Sequence, residues 1–255
     1  MLEMDRNDID LWLVDEREIV DTDLLAHYHQ LLNEEELARH QRLVFNKHQH
    51  LFLVARALVR SVLAGYLGLD DPGSITFRSN ANGKPELDLE TNLQFNLSHT
   101  NGLVALVVMQ DAAVGVDVEY LSRKADIASL AQRYFSMQES EAMLAMPVAQ
   151  WNERFFDLWT LKEAFLKACG TGLTTPLHEF SFSLDGGAIE VSFSPLLAED
   201  PLAWHFWQLQ LDRGYRLSLA VNDGQGRDFQ LKVKQGIPMQ EFKQVSPDIV
   251  CRSVR

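Results

Sequence analysis

The segment from Val114 to Tyr120 constrains the fold most strongly, because apolar residues alternate with other residues along it. Valines occupy positions 114, 116 and 118, and Gly115, Asp117 and Glu119 lie between or beside them. Successive side chains of a β-strand point to opposite faces, so the valines share one face and the two carboxylates share the other. Carboxylates spaced i and i+2 lie roughly 6.5–7 Å apart at the backbone. The sequence therefore predicts a strand with one packed face and one face able to hold a divalent cation.

Residues 151–168 have the broad apolar stripe of a long amphipathic helix. We expect Gly170 or Gly172 to end it, because glycine readily adopts the left-handed conformation that follows many helices. Glu163 and Lys167 are four residues apart and share one side of the helix, in the order that favours a glutamate–lysine pair. On most helices such a pair is a solvated surface feature. The apolar residues Trp159, Phe165 and Leu166 beside it favour a position in a cleft.

Three segments, in this order, closely resemble the 4′-phosphopantetheinyl transferases of the Sfp type. They read FNLSHT at residues 95–100, GVDVE at 115–119 and WTLKEAFLKACGTGL at 159–173. Gly83-Lys84-Pro85 precedes them, and Arg133-Tyr134-Phe135-Ser136 lies between the second and the third. Each fragment alone is weak evidence, whereas the ordered set is specific. The resemblance extends from about residue 42 to residue 173, roughly half of the chain.

The resemblance implies an α+β fold of two pseudo-symmetric lobes, with helices packed on antiparallel sheets and the active site in the cleft between the lobes. We expect residues 1–112 to form an N-terminal lobe with the coenzyme A contacts, and residues 113–234 to form a C-terminal lobe with the metal-binding and catalytic residues. Residues 235–255 show no periodic pattern and are predicted to be a partly ordered tail.

Hydrophobic periodicity and turn residues predict the individual elements. Helices are predicted at 31–39, beginning after a cap at Asn33, and at 51–67, 127–133, 136–144 and 151–168. Strands are predicted at 9–14, 75–77, 93–97, 103–109, 114–120, 180–184, 188–193, 204–211 and 215–221.

The resemblance also implies an activity: transfer of the 4′-phosphopantetheine arm of coenzyme A to a serine of an apo acyl or peptidyl carrier protein, with release of adenosine 3′,5′-bisphosphate. This is the holo-acyl-carrier-protein synthase type of reaction. Asp117, Glu119 and Glu163 match the family's metal ligands, and magnesium is expected because it prefers oxygen donors. Glu163, Lys167 and Asp117 match catalytic positions, with Glu163 acting as metal ligand, general base or both, and Lys167 contacting the pyrophosphate. Lys162 is expected to be structural or peripheral.

Further positions match the family's coenzyme A contacts. They are Arg42, Lys47, Ser98 and His99 near the phosphates, Gly83, Lys84 and Pro85 beside the adenine, and Asp117 and Lys167 at the pyrophosphate. Taken alone, His99 is more typical of an ordinary turn histidine. The sequence departs from the family after Lys47, where His48-Gln49-His50 replaces a more basic stretch and weakens the expected phosphate-binding wall.

A formal net charge of −13 argues against nucleic acid and anionic membranes as partners. The same charge would repel an acidic carrier protein at long range, so docking must use a local surface. Candidates are Arg123, Lys124, Arg133 and the apolar stretch at residues 144–148, although all of these also suit ordinary solvated helices. The N-terminus lacks a signal-peptide pattern, and the two cysteines fit no zinc or disulfide pattern. A monomeric, cytoplasmic protein is expected.

Two other functions fit part of the pattern. Metal-dependent nucleases also place an acid pair on a strand near a lysine, but here the lysine follows its acid on a helix and the chain is acidic. A non-catalytic module that binds coenzyme A or docks on carrier proteins would share the same residues. Turnover in the presence of magnesium distinguishes the enzyme from that module.

Overall fold

A computed structural model describes residues 1–122 and 126–253 of the chain. Its helices are α1 (Thr22–Gln30), α2 (Glu34–Arg42), α3 (Asn46–Leu67), α4 (Ile127–Tyr134), α5 (Met137–Leu144) and α6 (Val148–Cys169). Its strands are β1 (Asp8–Asp15), β2 (Phe77–Ser79), β3 (Pro85–Leu87), β4 (Leu93–Thr100), β5 (Leu103–Gln110), β6 (Ala113–Tyr120), β7 (Phe180–Ser183), β8 (Glu190–Phe193), β9 (Trp204–Leu211), β10 (Tyr215–Asn222), β11 (Gln230–Gly236), β12 (Phe242–Val245) and β13 (Asp248–Arg252). The predicted docking residues Arg123 and Lys124 lie outside the described residues.

The chain forms two compact units, and both combine helices with a mainly antiparallel sheet, as an α+β fold requires. The first unit comprises residues 1–79, 85–111 and 229–246, and the second comprises residues 80–84, 112–228 and 247–255. Both units therefore contain separate stretches of sequence, whereas the predicted lobes at 1–112 and 113–234 were continuous.

The first unit contains a five-stranded sheet in the order β12-β11-β1-β5-β4. Its pairs are antiparallel apart from β1 and β11, which run parallel. The helix α3 packs its buried face into the core of this unit, around Val54, Leu58 and Leu63. By length and composition α3 is apolar enough to cross a bilayer, but more than half of that stretch is buried, as in the core helices of globular proteins.

The second unit contains the antiparallel sheet β13-β9-β10-β6, the hairpin β7–β8 and the helices α4 to α6. The long helix α6 packs on β6 and β10. Aromatic residues dominate the adjoining core, where Phe165 contacts Phe180 and Trp204 at centroid distances of 4.5 and 4.6 Å. This packing fixes α6 against the strand that carries the predicted carboxylates.

The prediction of a partly ordered tail at residues 235–255 is wrong for residues 235–253, and residues 254 and 255 lie outside the described residues. β11 ends at Gly236, β12 and β13 follow, and Cys251 of β13 is buried in the core of the second unit. β12 and β13 are short and mostly exposed, so they lack the apolar alternation that marks longer strands in a sequence. β11 pairs with β1 and β13 pairs with β9, contacts that are remote in sequence, and β12 pairs with its neighbour β11.

Candidate active site

The strand β6 has the two faces that its sequence predicts. Val114, Val116 and Val118 are almost fully buried. On the other face Gly115 lies against α6: a Cβ built at this glycine would be 2.0 Å from the carbonyl oxygen of Ala164. Since side chains alternate along a strand, Asp117 and Glu119 share the face of Gly115 and lie on the α6 side.

The missing side chain of Gly115 allows α6 to approach β6 at its last turns. The same built Cβ would also lie 2.4 Å from the backbone nitrogen of Ala168, so any side chain larger than hydrogen requires the helix to move away. Asp117 lies two residues after Gly115 on β6, and its Oδ1 accepts a hydrogen bond from Nζ of Lys167 on α6 at 2.7 Å. The close approach at Gly115 thus brings the predicted acid and lysine together.

Glu163 lies one helical turn before Lys167, and its pKa is raised above the ordinary glutamate range. The causes are burial first and the negative charge of Asp117 second, and the positive charge of Lys167 opposes them. Asp117 itself is buried, whereas the Lys167 side chain is 28% exposed. The site therefore combines a carboxyl group of increased basicity with a partly accessible cation, which suits proton removal beside a phosphate group.

The three predicted metal ligands provide only oxygen donors, which are the donors that magnesium prefers. Among residues 1–122 and 126–253 there is no group of three or more His, Cys, Asp or Glu side chains close enough to hold a metal ion by itself. Asp117 is paired with Lys167, and its negative charge contributes to the raised pKa of Glu163. Magnesium is commonly held by one or two carboxylates together with substrate phosphates and water, so this donor set fits the ion.

Sequence reasoning missed a group of buried polar residues next to Asp117. Ser218 of β10 is paired with Asp117 across the sheet, and its hydroxyl lies 2.8 Å from that of Thr160 on α6. Gln208 of β9 donates to the same serine oxygen at 3.2 Å and to the carbonyl oxygen of Asp157 at 2.8 Å. Ser218, Thr160 and Gln208 are all fully buried. The sequence signal that could have identified them is a polar residue within an otherwise apolar strand or helix, because buried polar groups need specific partners.

Lys162 is structural. It is fully buried, and its Nζ lies 2.9 Å from Glu139 Oε2 and donates to the carbonyl oxygen of Leu177 at 2.8 Å. The ammonium also lies 4.3 Å from the centre of the Phe180 ring. Glu139 in turn accepts hydrogen bonds from Ser136 at the start of α5 and from the backbone of Phe182. Lys162 therefore connects α6 to α5 and β7.

Two of the predicted adenine neighbours, Gly83 and Lys84, belong to the second unit by their contacts, whereas Pro85 begins β3 of the first unit. Lys84 donates from Nζ to the carbonyl oxygens of Val114 at 3.2 Å and Ala168 at 3.1 Å. Its ammonium is therefore bonded to both elements that carry the catalytic candidates.

The remaining predicted coenzyme residues lie in the first unit. Ser98 and His99 are neighbours on β4, with Ser98 buried and His99 exposed. Arg42 ends α2 and Lys47 lies in the first turn of α3, and both side chains are exposed. In the histidine-containing stretch after Lys47, His50 Nε2 lies 2.7 Å from the carbonyl oxygen of Glu16, so this histidine is engaged in a local contact.

Comparison with known proteins defines the class. The profile of the 4′-phosphopantetheinyl transferase superfamily matches residues 113–220, which include β6, α6 and most of β10. The profile of the 4′-phosphopantetheinyl transferase N-terminal region matches residues 21–111. The 4′-phosphopantetheinyl transferase HetI of Nostoc sp. is 35% identical over 84% of this chain and 88% of its own length. The chain belongs to the 4′-phosphopantetheinyl transferase superfamily.

Two Bacillus subtilis relatives show that the similarity is of the Sfp type. The 4′-phosphopantetheinyl transferase ffp is 30% identical over 79% of this chain and 85% of its own length. Sfp itself is 27% identical over 74% of this chain and 82% of its own length. These matches confirm the family assignment made from the three sequence segments.

Proposed function

We propose that this protein transfers the 4′-phosphopantetheine arm of coenzyme A to a serine of an apo acyl or peptidyl carrier protein. The reaction would depend on magnesium, release adenosine 3′,5′-bisphosphate and be of the holo-acyl-carrier-protein synthase type. The observation that best supports the proposal is the contact between Lys167 and Asp117 beside Glu163, whose pKa is raised. Membership of the transferase superfamily agrees with it.

In the proposed reaction the serine oxygen forms a bond to the phosphorus of the phosphopantetheine arm, and the bond from that phosphorus to the bridging oxygen breaks. Glu163 accepts the hydroxyl proton, for which its raised pKa makes it a stronger base. Lys167 stabilises negative charge on the pyrophosphate as a point charge. Asp117, Glu119 and Glu163 would hold magnesium, which supplies further charge neutralisation on the phosphate oxygens when bound. Asp117 also orients Lys167 through their hydrogen bond.

The coenzyme would be held by further residues along its length. We assign Arg42, Lys47, Ser98 and His99 to its phosphates, and Gly83, Lys84 and Pro85 to the border of the adenine. The exposed side chains of Arg42, Lys47 and His99 support this assignment, since a phosphate ligand needs accessible donors. We further propose a monomer that works in the cytoplasm without nucleic acid or membrane partners. Its acidic net charge of −13 supports the absence of those partners.

Intact-mass measurement of apo carrier proteins tests the proposed function. Each carrier is incubated with the protein, coenzyme A and magnesium, with and without a chelator. We expect a gain of one phosphopantetheine mass that the chelator prevents. Asp117→Asn should reduce the initial rate at least about a hundredfold, because the positioned charge that holds Lys167 is lost. Asp70→Asn, at an exposed loop position, serves as the matched control and should react as the wild type does.

Three results would contradict the proposal. No mass gain with fatty-acid, polyketide and peptide carriers would favour a non-catalytic binding module. Undiminished transfer in the presence of the chelator would contradict the metal requirement. Full activity of Asp117→Asn would remove this residue from the reaction.

A further inference from the structure

The 80–84 loop, Asn80-Ala81-Asn82-Gly83-Lys84, is a turn with several internal hydrogen bonds. The side-chain oxygen of Asn80 accepts hydrogen bonds from the backbone nitrogens of Asn82 and Lys84, both at 2.9 Å. The backbone nitrogen of Asn80 donates to the carbonyl oxygen of Lys84 at 2.9 Å, and Gly83 adopts a positive φ of 87°. These bonds fix the conformation of the loop, so its side chains project from a defined backbone.

This loop supplies hydrogen-bond donors to the C-terminal end of α6. The last carbonyl groups of a helix lack partners within the helix. Asn80 and Asn82 each donate from Nδ2 to the carbonyl oxygen of Gly170, at 3.0 and 3.1 Å, and Lys84 Nζ donates to that of Ala168. The lysine charge also interacts favourably with the negative end of the helix dipole. The loop therefore caps α6 from outside the helix.

Lys84 also bonds the carbonyl oxygen of Val114 on β6, which places its ammonium between the two catalytic elements. Val114 precedes Asp117 by three residues, and Ala168 directly follows Lys167. One ammonium thus connects the backbones of strand and helix next to the pair in which Lys167 reaches Asp117 at 2.7 Å. Gly170 is part of the same packing, because a Cβ there would lie 2.7 Å from Asn80 Nδ2 and 3.1 Å from Lys84 Cδ.

We propose that Lys84, supported by Asn80 and Asn82, is a positioning residue that sets the end of α6 against β6 and so fixes Lys167 relative to Asp117. The inference rests on the proposed function for its catalytic consequence. It assigns the Lys84 side chain to the protein's own backbone, while leaving the backbone of the loop available to border the adenine. Loss of this connection should impair the chemical step more than coenzyme binding, since small displacements of reacting groups have large effects on rate.

Lys84→Met tests this inference, because methionine keeps most of the aliphatic chain and removes the ammonium. We expect kcat to fall at least about tenfold, while KM for coenzyme A changes less than about twofold. In the protein without ligands, backbone amide hydrogen exchange should accelerate in residues 164–170 and in the 80–84 loop. Asn82→Ala, at an exposed position, removes one bond to Gly170 without threatening the fold and should produce smaller changes in the same direction.

Lys243→Met is the matched control, since this lysine is 74% exposed and pairs only loosely with Glu241 at 3.7 Å. It should leave both kinetic constants and the exchange of α6 unchanged. A rise of about tenfold or more in KM with unchanged kcat and unchanged exchange in Lys84→Met would overturn the inference and make Lys84 a direct coenzyme contact. If the wild type transfers nothing, the proposed function fails, but the exchange comparison still tests whether Lys84 holds α6.

Discussion

Asp157 is a buried carboxyl group on α6 whose pKa is raised to about 6, chiefly by burial. The nearby guanidinium of Arg216, whose Nε lies 2.9 Å from Asp157 Oδ1, opposes this rise. Arg216 of β10 is the cross-strand neighbour of Glu119 of β6, and it is 1% exposed. The charge state of Asp157 therefore affects a buried arginine beside the predicted metal-binding strand.

The raised pKa of Asp157 predicts a pH dependence of stability. The ordinary aspartate value is 3.8, so between about pH 4 and pH 6 the folded state binds more protons at this residue than the unfolded state. Its contribution to the free energy of unfolding then falls as the pH rises through this window, by on the order of 2 kcal/mol. Asp157→Asn removes that term. Urea unfolding at several pH values should show the variant gaining stability relative to the wild type from pH 4 to pH 6.

Glu153→Gln is the matched comparison for Asp157→Asn. Glu153 accepts a hydrogen bond from the same arginine at 2.8 Å, but its side chain is 64% exposed. The difference in free energy of unfolding between Glu153→Gln and the wild type should stay nearly constant from pH 4 to pH 6. A constant difference for Asp157→Asn as well would mean that its carboxyl group titrates normally in the folded protein.

At the scale of elements, the contact between β6 and α6 depends on Gly115. An alanine methyl group at this position would lie 2.0 Å from a carbonyl oxygen of α6. At this distance the atoms overlap, so the strand or the helix backbone must move. We expect Gly115→Ala to lower the free energy of unfolding by about 3 kcal/mol. Chemical denaturation measures this change, and the folded fraction of the variant should also lose transfer activity because α6 is displaced.

Gly224→Ala is the control for this prediction, since a Cβ at Gly224 meets nothing within 4 Å. Its unfolding midpoint should match that of the wild type. Equal stability of the two alanine variants would show that α6 shifts without cost and that the close approach is unimportant.

Long periodic elements were predictable from the sequence, and contacts between distant segments were not. Helix α6 was predicted at 151–168 and found at Val148–Cys169, with Gly170 at a φ of 67° after its end. The Asn33 cap was also found, because its capping box with Glu36 is a local signal. Helix α1 was missed, since it is short and only Tyr28 is buried. The segments that resemble the family supplied the site residues, but the pairing of Lys167 with Asp117 and the bonds of Lys84 depend on tertiary packing.

At the scale of the whole molecule, the segment after residue 229 contributes strands to the two larger sheets. β11 and β12 complete the five-stranded sheet of the first unit, and β13 forms an edge of the four-stranded sheet of the second. β11 also brings Lys232 and Lys234 to the buried Asp8 and Asp10 of β1, at 2.6 and 2.8 Å. The segment therefore stabilises both units, although residues 235–255 were predicted to be a partly ordered tail.

Truncation tests this role. A chain that ends at Gly236 lacks β12 and β13, and we expect its Tm to fall by on the order of 10 °C, because each sheet loses an edge strand and Cys251 leaves the core. A chain that ends at Ser253 keeps every strand found among the described residues and is the control, with an unchanged Tm. Calorimetry measures both. Equal Tm values for the two chains would show that these strands add little.

The late position of β11 to β13 has a consequence for biosynthesis. The chain emerges from the ribosome N-terminus first, so β1 is made long before β11, its parallel neighbour. Until then β1 is the edge of an incomplete sheet and offers unpaired backbone groups to other nascent chains. Asp8 and Asp10 lie on this strand, and their charges, not yet paired with lysines, discourage such pairing. We therefore expect the two acids, which pair with lysines in the finished protein, to lower the tendency of this unfinished sheet edge to aggregate.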